Sequence, residues 1–155
     1  MPKGLVRRQQ TGHLHFITVS CHRHAHILKT PAACNALQKI LEETRQRYSF
    51  HLLGYVFMSN HIHLLLTEPE SAKLSTAIQV LKHRFSRTRS EEFVWEPRYH
   101  DFNVFTHNKR VEKLRYMHRN AVEAGLVERP EDYPWSSYRA YAFKEAHPVH
   151  ISTEY

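Results

Sequence analysis

The sequence predicts an α+β chain: four strands and two helices in the order β-α-β-β-α-β, with a third helix added after the last strand. Three observations predict it. Residues 14–20 alternate and are rich in β-formers. Residues 51–57 and 61–67 are two further strand-like runs separated only by Met58-Ser59-Asn60, the spacing of a hairpin. Two long segments between strands place their apolar residues at helical intervals. That order is the ferredoxin-like arrangement, one antiparallel sheet with both helices on one face, so the third helix has to pack elsewhere on the sandwich.

Each element follows from local chemistry. The first strand covers 14–20. Pro31 then opens a helix whose stripe is Leu37, Ile40, Leu41 and Tyr48, with Glu42, Glu43, Arg45 and Arg47 off the stripe. The hairpin of 51–57 and 61–67 ends at Glu68-Pro69-Glu70-Ser71. Leu74, Ala77, Ile78, Leu81 and Phe85 mark the second helix, which runs into the basic stretch Lys82, His83, Arg84, Arg87 and Arg89. After Glu96-Pro97-Arg98, residues 99–105 form the fourth strand. The third helix runs from about Asn108 to Ala124 and is closed by Gly125. Tyr133 to Arg139 makes a turn into a short helix. No repeat, low-complexity tract or linker divides the 155 residues, which read as one domain spanning 1–155.

Composition narrows the partners. A net charge of +7 attracts polyanions, of which nucleic acid is the commonest in a cytoplasm. No apolar run approaches the roughly 20 residues needed to span a membrane, and residues 1–8 are basic without an apolar core, so neither membrane insertion nor a signal peptide is expected. The two cysteines, Cys21 and Cys34, lack metal-site spacing and read as free thiols in a reducing compartment, with the protein cytoplasmic and associated with the nucleoid.

The chemistry-bearing run is His61-Ile62-His63. Strand side chains alternate, so His61 and His63 point to one face and Ile62 and Leu64 to the other, which makes half of a metal site. On the third helix, Val111, Leu114, Met117 and Ala121 gather as the core stripe. Tyr116 falls roughly opposite, beside Glu112, Asn120 and Glu123, and Asn120 is its neighbour four residues on. A phenol is a poor nucleophile at neutral pH unless a base or metal assists it. The two histidines supply that help if the helix packs across them.

Phe57-Met58-Ser59-Asn60-His61-Ile62-His63-Leu64-Leu65 resembles the His-hydrophobic-His motif of the single-tyrosine (Y1) HUH transposases of the IS200/IS605 type. Arg115-Tyr116-Met117-His118-Arg119-Asn120-Ala121-Val122-Glu123-Ala124-Gly125 resembles the tyrosine helix of the REP-associated subgroup. Trp95-Glu96-Pro97-Arg98-Tyr99-His100-Asp101 resembles the segment before that helix, and Tyr133-Pro134-Trp135-Ser136-Ser137-Tyr138 the C-terminal signature. The resemblance spans about Leu14 to Tyr141. The chain departs from the subgroup at Ser59 and Ala121, where proline is usual; a looser turn and an altered helix kink are the expected consequences.

The resemblance implies a DNA transposase, a single-strand endonuclease and ligase acting at hairpin elements. His61 and His63 would bind a divalent cation, Mg or Mn, with Asn120 as third ligand. Tyr116 would be the nucleophile forming a 5′-phosphotyrosine. Lys82, Arg84, Arg87, Arg115 and Arg119 are the candidate phosphate contacts along the DNA path, and Trp95, Tyr99 and Tyr138 the candidate base-stacking rings, with core packing the better reading for Trp95 and Trp135. The IS200/IS605 resemblance implies a dimer with exchanged tyrosine helices and the REP-associated subgroup a monomer; the signature Trp135-Ser136-Ser137-Tyr138 favours the monomer over the helix-swapped dimer. His13, His15, His22, His24 and His26 form a second cluster that fits no standard zinc module. From it, His15 would act as an outer group beside the metal if the strands pair. The alternative function is a non-catalytic ferredoxin-like module that holds nucleic acid without cleaving it.

Overall fold

In the computed structural model, which describes residues 13–155, four strands form one antiparallel sheet: β1 (Leu14–Ser20), β2 (Leu52–Met58), β3 (His61–Leu66) and β4 (His100–Val104). The order is β2-β3-β1-β4, the ferredoxin-like topology expected. The basic segment 1–8, read above for a signal peptide, lies outside the described residues. Strand β2 begins and ends one residue later than its sequence pattern. Met58 joins the ladder opposite His61 across the two-residue turn Ser59-Asn60. His51 leaves it, and its amide is taken by the Thr67 hydroxyl at 2.9 Å.

Helices α1 (Pro31–Tyr48) and α2 (Leu74–Ser86) cover one face. Thr30 starts α1 by accepting the Ala33 amide at 3.2 Å, and Pro31 sits in the first turn where no amide partner is needed. Ile17, Leu37, Leu41, Ile62, Leu64 and Phe85 are sealed between these helices and the sheet. Each such side chain contributes about 1.5–3 kcal/mol by leaving water.

The opposite face is where the added helix packs. α3 (His107–Glu123) starts at Thr106, whose hydroxyl accepts the Lys109 amide at 3.1 Å. It ends in a left-handed Gly125 (φ 77), with the amides of Gly125 and Leu126 bonded to the carbonyls of Val122 and Ala121. Ala121 is buried inside an unbroken helix, so the missing proline leaves no kink. Met117 and Ala121 rest on Phe16, Leu53, Val56 and Leu65. The closest approach is at Gly54, where a Cβ would stand 2.6 Å from Leu114 Cδ2 and 2.9 Å from Met117 Cε.

The tail fastens this helix. Ser136 bridges to Val56 at the β2 edge. The Ser137 hydroxyl accepts the Tyr55 amide at 3.0 Å and shares a hydrogen bond with His118 Nε2 at 2.7 Å. Tyr133 and Tyr141 donate their hydroxyls to the carbonyls of Phe57 and Leu53. The Trp-Ser-Ser-Tyr signature is thus a clamp joining α3 to β2, and α4 (Tyr138–Ala142) follows it.

Two outcomes test this packing. Gly54→Ala is expected to lower stability by about 1–2 kcal/mol, because the new methyl overlaps Leu114 and Met117; an unchanged urea midpoint would show that α3 does not rest on β2. Acid should also loosen the clamp. Burial lowers the His118 pKa to about 4, below the roughly 6.5 of an unfolded histidine. The unfolded chain therefore binds the proton first, and stability falls as pH drops from about 6.5 to about 4. His15, whose pKa is raised, acts oppositely: its contribution is full below about 6.5 and is lost as pH rises through its folded value. Urea midpoints at pH 4.5 and 7 should therefore converge in His118→Gln relative to the parent, and an identical gap in both would refute the assignment.

Candidate active site

The strand β3 turns His61, His63 and Leu65 toward α3, while Ile62, Leu64 and Leu66 face α1 and α2. The two imidazole rings are 4.8 Å apart. His61 Nδ1 lies 2.7 Å from Asn60 Oδ1, an oxygen that can only accept, so Nδ1 carries the hydrogen and Nε2 keeps its lone pair. His63 Nδ1 bonds Thr18 Oγ1 at 2.9 Å from the paired position on β1. Phe16 stacks on His63 at 5.1 Å and 20°. Burial depresses the His61 pKa, helped by the charge of His24. Burial, then His61 and Lys113, bring His63 to about 3. Both rings are neutral at pH 7, the form that binds metals.

α3 brings Tyr116 to this pair. Its ring stands edge-on to His63 at 5.4 Å and to Phe16 at 6.2 Å, and the residue is 47% exposed. Tyr116 does not lie opposite the buried stripe. The sheet-facing side of α3 is Lys113, Leu114, Met117, Asn120 and Ala121, with Tyr116 on its flank, and Val111 turns into a surface groove. The wheel misplaced Val111 because the helix crosses a small cap of core rather than a full layer. Among the described residues, two buried polar atoms beside this ring meet no hydrogen-bond partner: His63 Nε2 and Asn120 Oδ1. Unsatisfied buried polar atoms are rare and call for a ligand or a water. Among the described residues no three His, Cys, Asp or Glu side chains converge on a metal position.

The structure divides the expected DNA contacts. Arg115 and Arg119 line an open groove of 550 Å³ together with Tyr116. Lys82 is a correction: it is buried, with its ammonium donating to the carbonyls of Glu96 at 3.0 Å and Pro97 at 3.3 Å, so it shapes the loop before β4 instead of meeting DNA. Arg84 is on the α1/α2 layer, paired with Glu43 at 2.9 Å, and Arg87 ends α2 on that same layer. A basic stretch at the end of a helix says nothing about which side of the sheet the helix covers.

The aromatic and histidine expectations also change. Trp95 and Tyr99 are buried against α1 and α2, with Trp95 Nε1 donating to the Lys82 carbonyl. Tyr138 packs edge-on to His118 at the clamp. His15 sits on the face away from His61 and His63, fully buried between Asp101 at 2.8 Å and Glu68 at 3.0 Å, so it cannot support a metal there. Burial opposes its charge, but the two carboxylates outweigh that and raise its pKa. His22 pairs with Glu96, and His26 bonds the Ser59 hydroxyl at 2.7 Å, holding the turn where the subgroup has proline. Arg23 and His24 are left-handed, with φ of 51° and 55°, in a loop tied to the Ser59-Asn60 turn. Cys21 and Cys34 are buried free thiols, their pKa values pushed up to about 12 and about 11 by burial.

Sequence reasoning missed Lys113. Its Nζ lies 4.8 Å from the Phe16 ring centre and 4.7 Å from that of Phe102. The signal was there: Lys113, Tyr116 and Asn120 are spaced three and four apart, one continuous helix face.

Comparison with known proteins agrees with this geometry. The family described as "Transposase IS200 like" matches residues 8–120. A Haemophilus influenzae protein assigned to the REP-associated tyrosine transposases is 25% identical over 129 residues, covering 74% of this chain and 73% of that protein. The Escherichia coli REP-associated tyrosine transposase is 22% identical over 135 residues, covering 86% of this chain and 81% of that one. A solved REP-associated tyrosine transposase bound to a REP hairpin superposes with a TM-score of 0.79 at 20% identity, over 96% of this chain and 94% of that one, a likeness of fold. More than half of the chain thus carries the family's pattern on the family's fold, and the protein belongs to the IS200-like transposases, with REP-associated tyrosine transposases among its relatives.

Proposed function

We propose that this protein cleaves and rejoins single-stranded DNA at hairpin elements, with Tyr116 as nucleophile. The observation that carries the reading is the meeting of Tyr116 with His63 at 5.4 Å, beside the unpartnered atoms His63 Nε2 and Asn120 Oδ1. His61, His63 and Asn120 would hold a divalent cation, Mg or Mn, which when bound supplies positive charge to the phosphate being attacked.

The chain's own residues account for the remaining steps. The Tyr116 oxygen attacks phosphorus and loses its proton as the new O–P bond forms. The bond from phosphorus to the 3′ oxygen breaks, and that oxygen takes up a proton. The products are a 5′-phosphotyrosine and a free 3′-OH. Because one phosphodiester replaces another, a 3′-OH reverses the step without ATP. Arg115, the residue before Tyr116, and Arg119, three residues after it, position the strand through its phosphates without reading bases. Phe16 and Thr18 hold the His63 ring in place. The similar REP-associated transposase that was solved is bound to a REP hairpin, which supports hairpin DNA as the substrate class here. α3 lies on its own sheet, so one chain contains the nucleophile and both histidines, and a monomer suffices.

The test uses a labelled hairpin-bearing single strand with Mn. A denaturation-resistant protein–DNA adduct is expected from the parent, and its loss, by at least about 10³-fold, from Tyr116→Phe. EDTA and His63→Ala should each remove the adduct while leaving DNA affinity within a few-fold. Cleavage with no adduct, persisting in Tyr116→Phe, would instead indicate a nuclease that uses water. Binding indifferent to EDTA, with no cleavage at all, would favour the non-catalytic module.

A further inference from the structure

The aromatic rings expected to stack bases are buried or lie at the tail clamp, yet the Tyr116 face has an exposed ring that the reaction does not use. Phe102 on β4 is 48% exposed. It stands directly opposite Phe16 in the β1–β4 register, so the two rings share the α3 side of the sheet. β4 is an edge strand, paired only to β1, so the outer side of Phe102 is open. Lys113 Nζ lies between the rings, 4.8 Å from Phe16 and 4.7 Å from Phe102, and Lys109 Nζ, paired with Glu112 at 2.9 Å, is 5.8 Å from Phe102. A continuous row therefore runs from His63 through Phe16 and Lys113 to Phe102 at the sheet edge.

We propose that Phe102, with Lys113 and Lys109, is a base-stacking subsite that holds a nucleobase of the single strand next to the phosphate at Tyr116. This rests on the reading of the protein as a single-strand DNA transesterase. Bases stack on exposed aromatic rings whatever the identity of the base. The Lys113 ammonium fits a backbone phosphate that accompanies a stacked base, and Lys109 adds positive charge beside it from its pair with Glu112. α3 carries Lys109, Arg110, Lys113, Arg115 and Arg119 against only Glu112 and Glu123, so the surroundings favour a polyanion over an apolar protein partner.

The test compares a fluorescein-labelled thymidine oligomer with an abasic strand of the same length, by anisotropy in EDTA so that binding is read without chemistry. Phe102→Ala should weaken binding of the thymidine oligomer about tenfold and leave the abasic strand unaffected. Phe102→Trp should restore the affinity and Phe102→Leu should not. Lys113→Ala should weaken both strands, with a shallower salt dependence. Equal loss on both strands in Phe102→Ala, no loss on either, or full rescue by leucine would overturn the subsite. Adduct formation by the parent with Mn, scored in parallel, separates the two claims. An adduct with Phe102-independent binding sinks the subsite alone; base-dependent binding through Phe102 with no adduct sinks the transesterase alone.

Discussion

The docking of α3 on the bare face of the sheet is the constraint on which the rest depends. The histidines stand on a rigid central strand and need nothing more to point the right way. Tyr116 meets the His63 ring only because a helix outside the β-α-β-β-α-β core lies close over β2. Gly54 permits that approach by leaving no Cβ where Leu114 and Met117 descend, and the Ser137 hydroxyl, shared between the Tyr55 amide and His118, holds the helix from its far side. An ångström of slack there would move the phenol relative to the imidazoles, and reactions that rely on positioning lose rate steeply with such shifts.

The two faces of the sheet have divided their work. Under α1 and α2 lies an apolar core that also buries an ionic group, His15 between Asp101 and Glu68. An isolated charge there would be costly, and two carboxylates make it tolerable. On the α3 face, polar groups are left without partners at His63 Nε2 and Asn120 Oδ1. A buried histidine therefore has both ring nitrogens bonded on one side and keeps one unpartnered on the other. The strained pair Arg23 and His24 sits near that second side, where left-handed non-glycine residues tend to collect.

Much of this was legible in the chain. Period-two alternation located the strands and put His61 and His63 on one face, because the pleat leaves no freedom about it. Tyr116 and Asn120 could be paired because a helix brings residues four apart together whatever it packs on. What could not be read was which face of the sheet each helix covers. Lys82, Arg84 and Arg87 looked like a DNA path, yet Lys82 is sealed under a loop and Arg84 faces Glu43 on the wrong layer. His15 was misplaced for the same reason, by one residue of strand register. Lys113 was overlooked because its partners, Phe16 and Phe102, lie on two strands far apart in sequence.

The proposed reaction centre is complete within one chain, with its own α3 over its own histidines. The most direct measurement mixes two inactive proteins, Tyr116→Phe and His63→Ala, after co-refolding them together, and scores the covalent adduct on hairpin-bearing single-stranded DNA. The mixture should stay as inactive as either protein alone, because no chain in it has both groups. Recovery of adduct in the mixture would contradict it, since the tyrosine helix of one chain would then be serving the histidines of another.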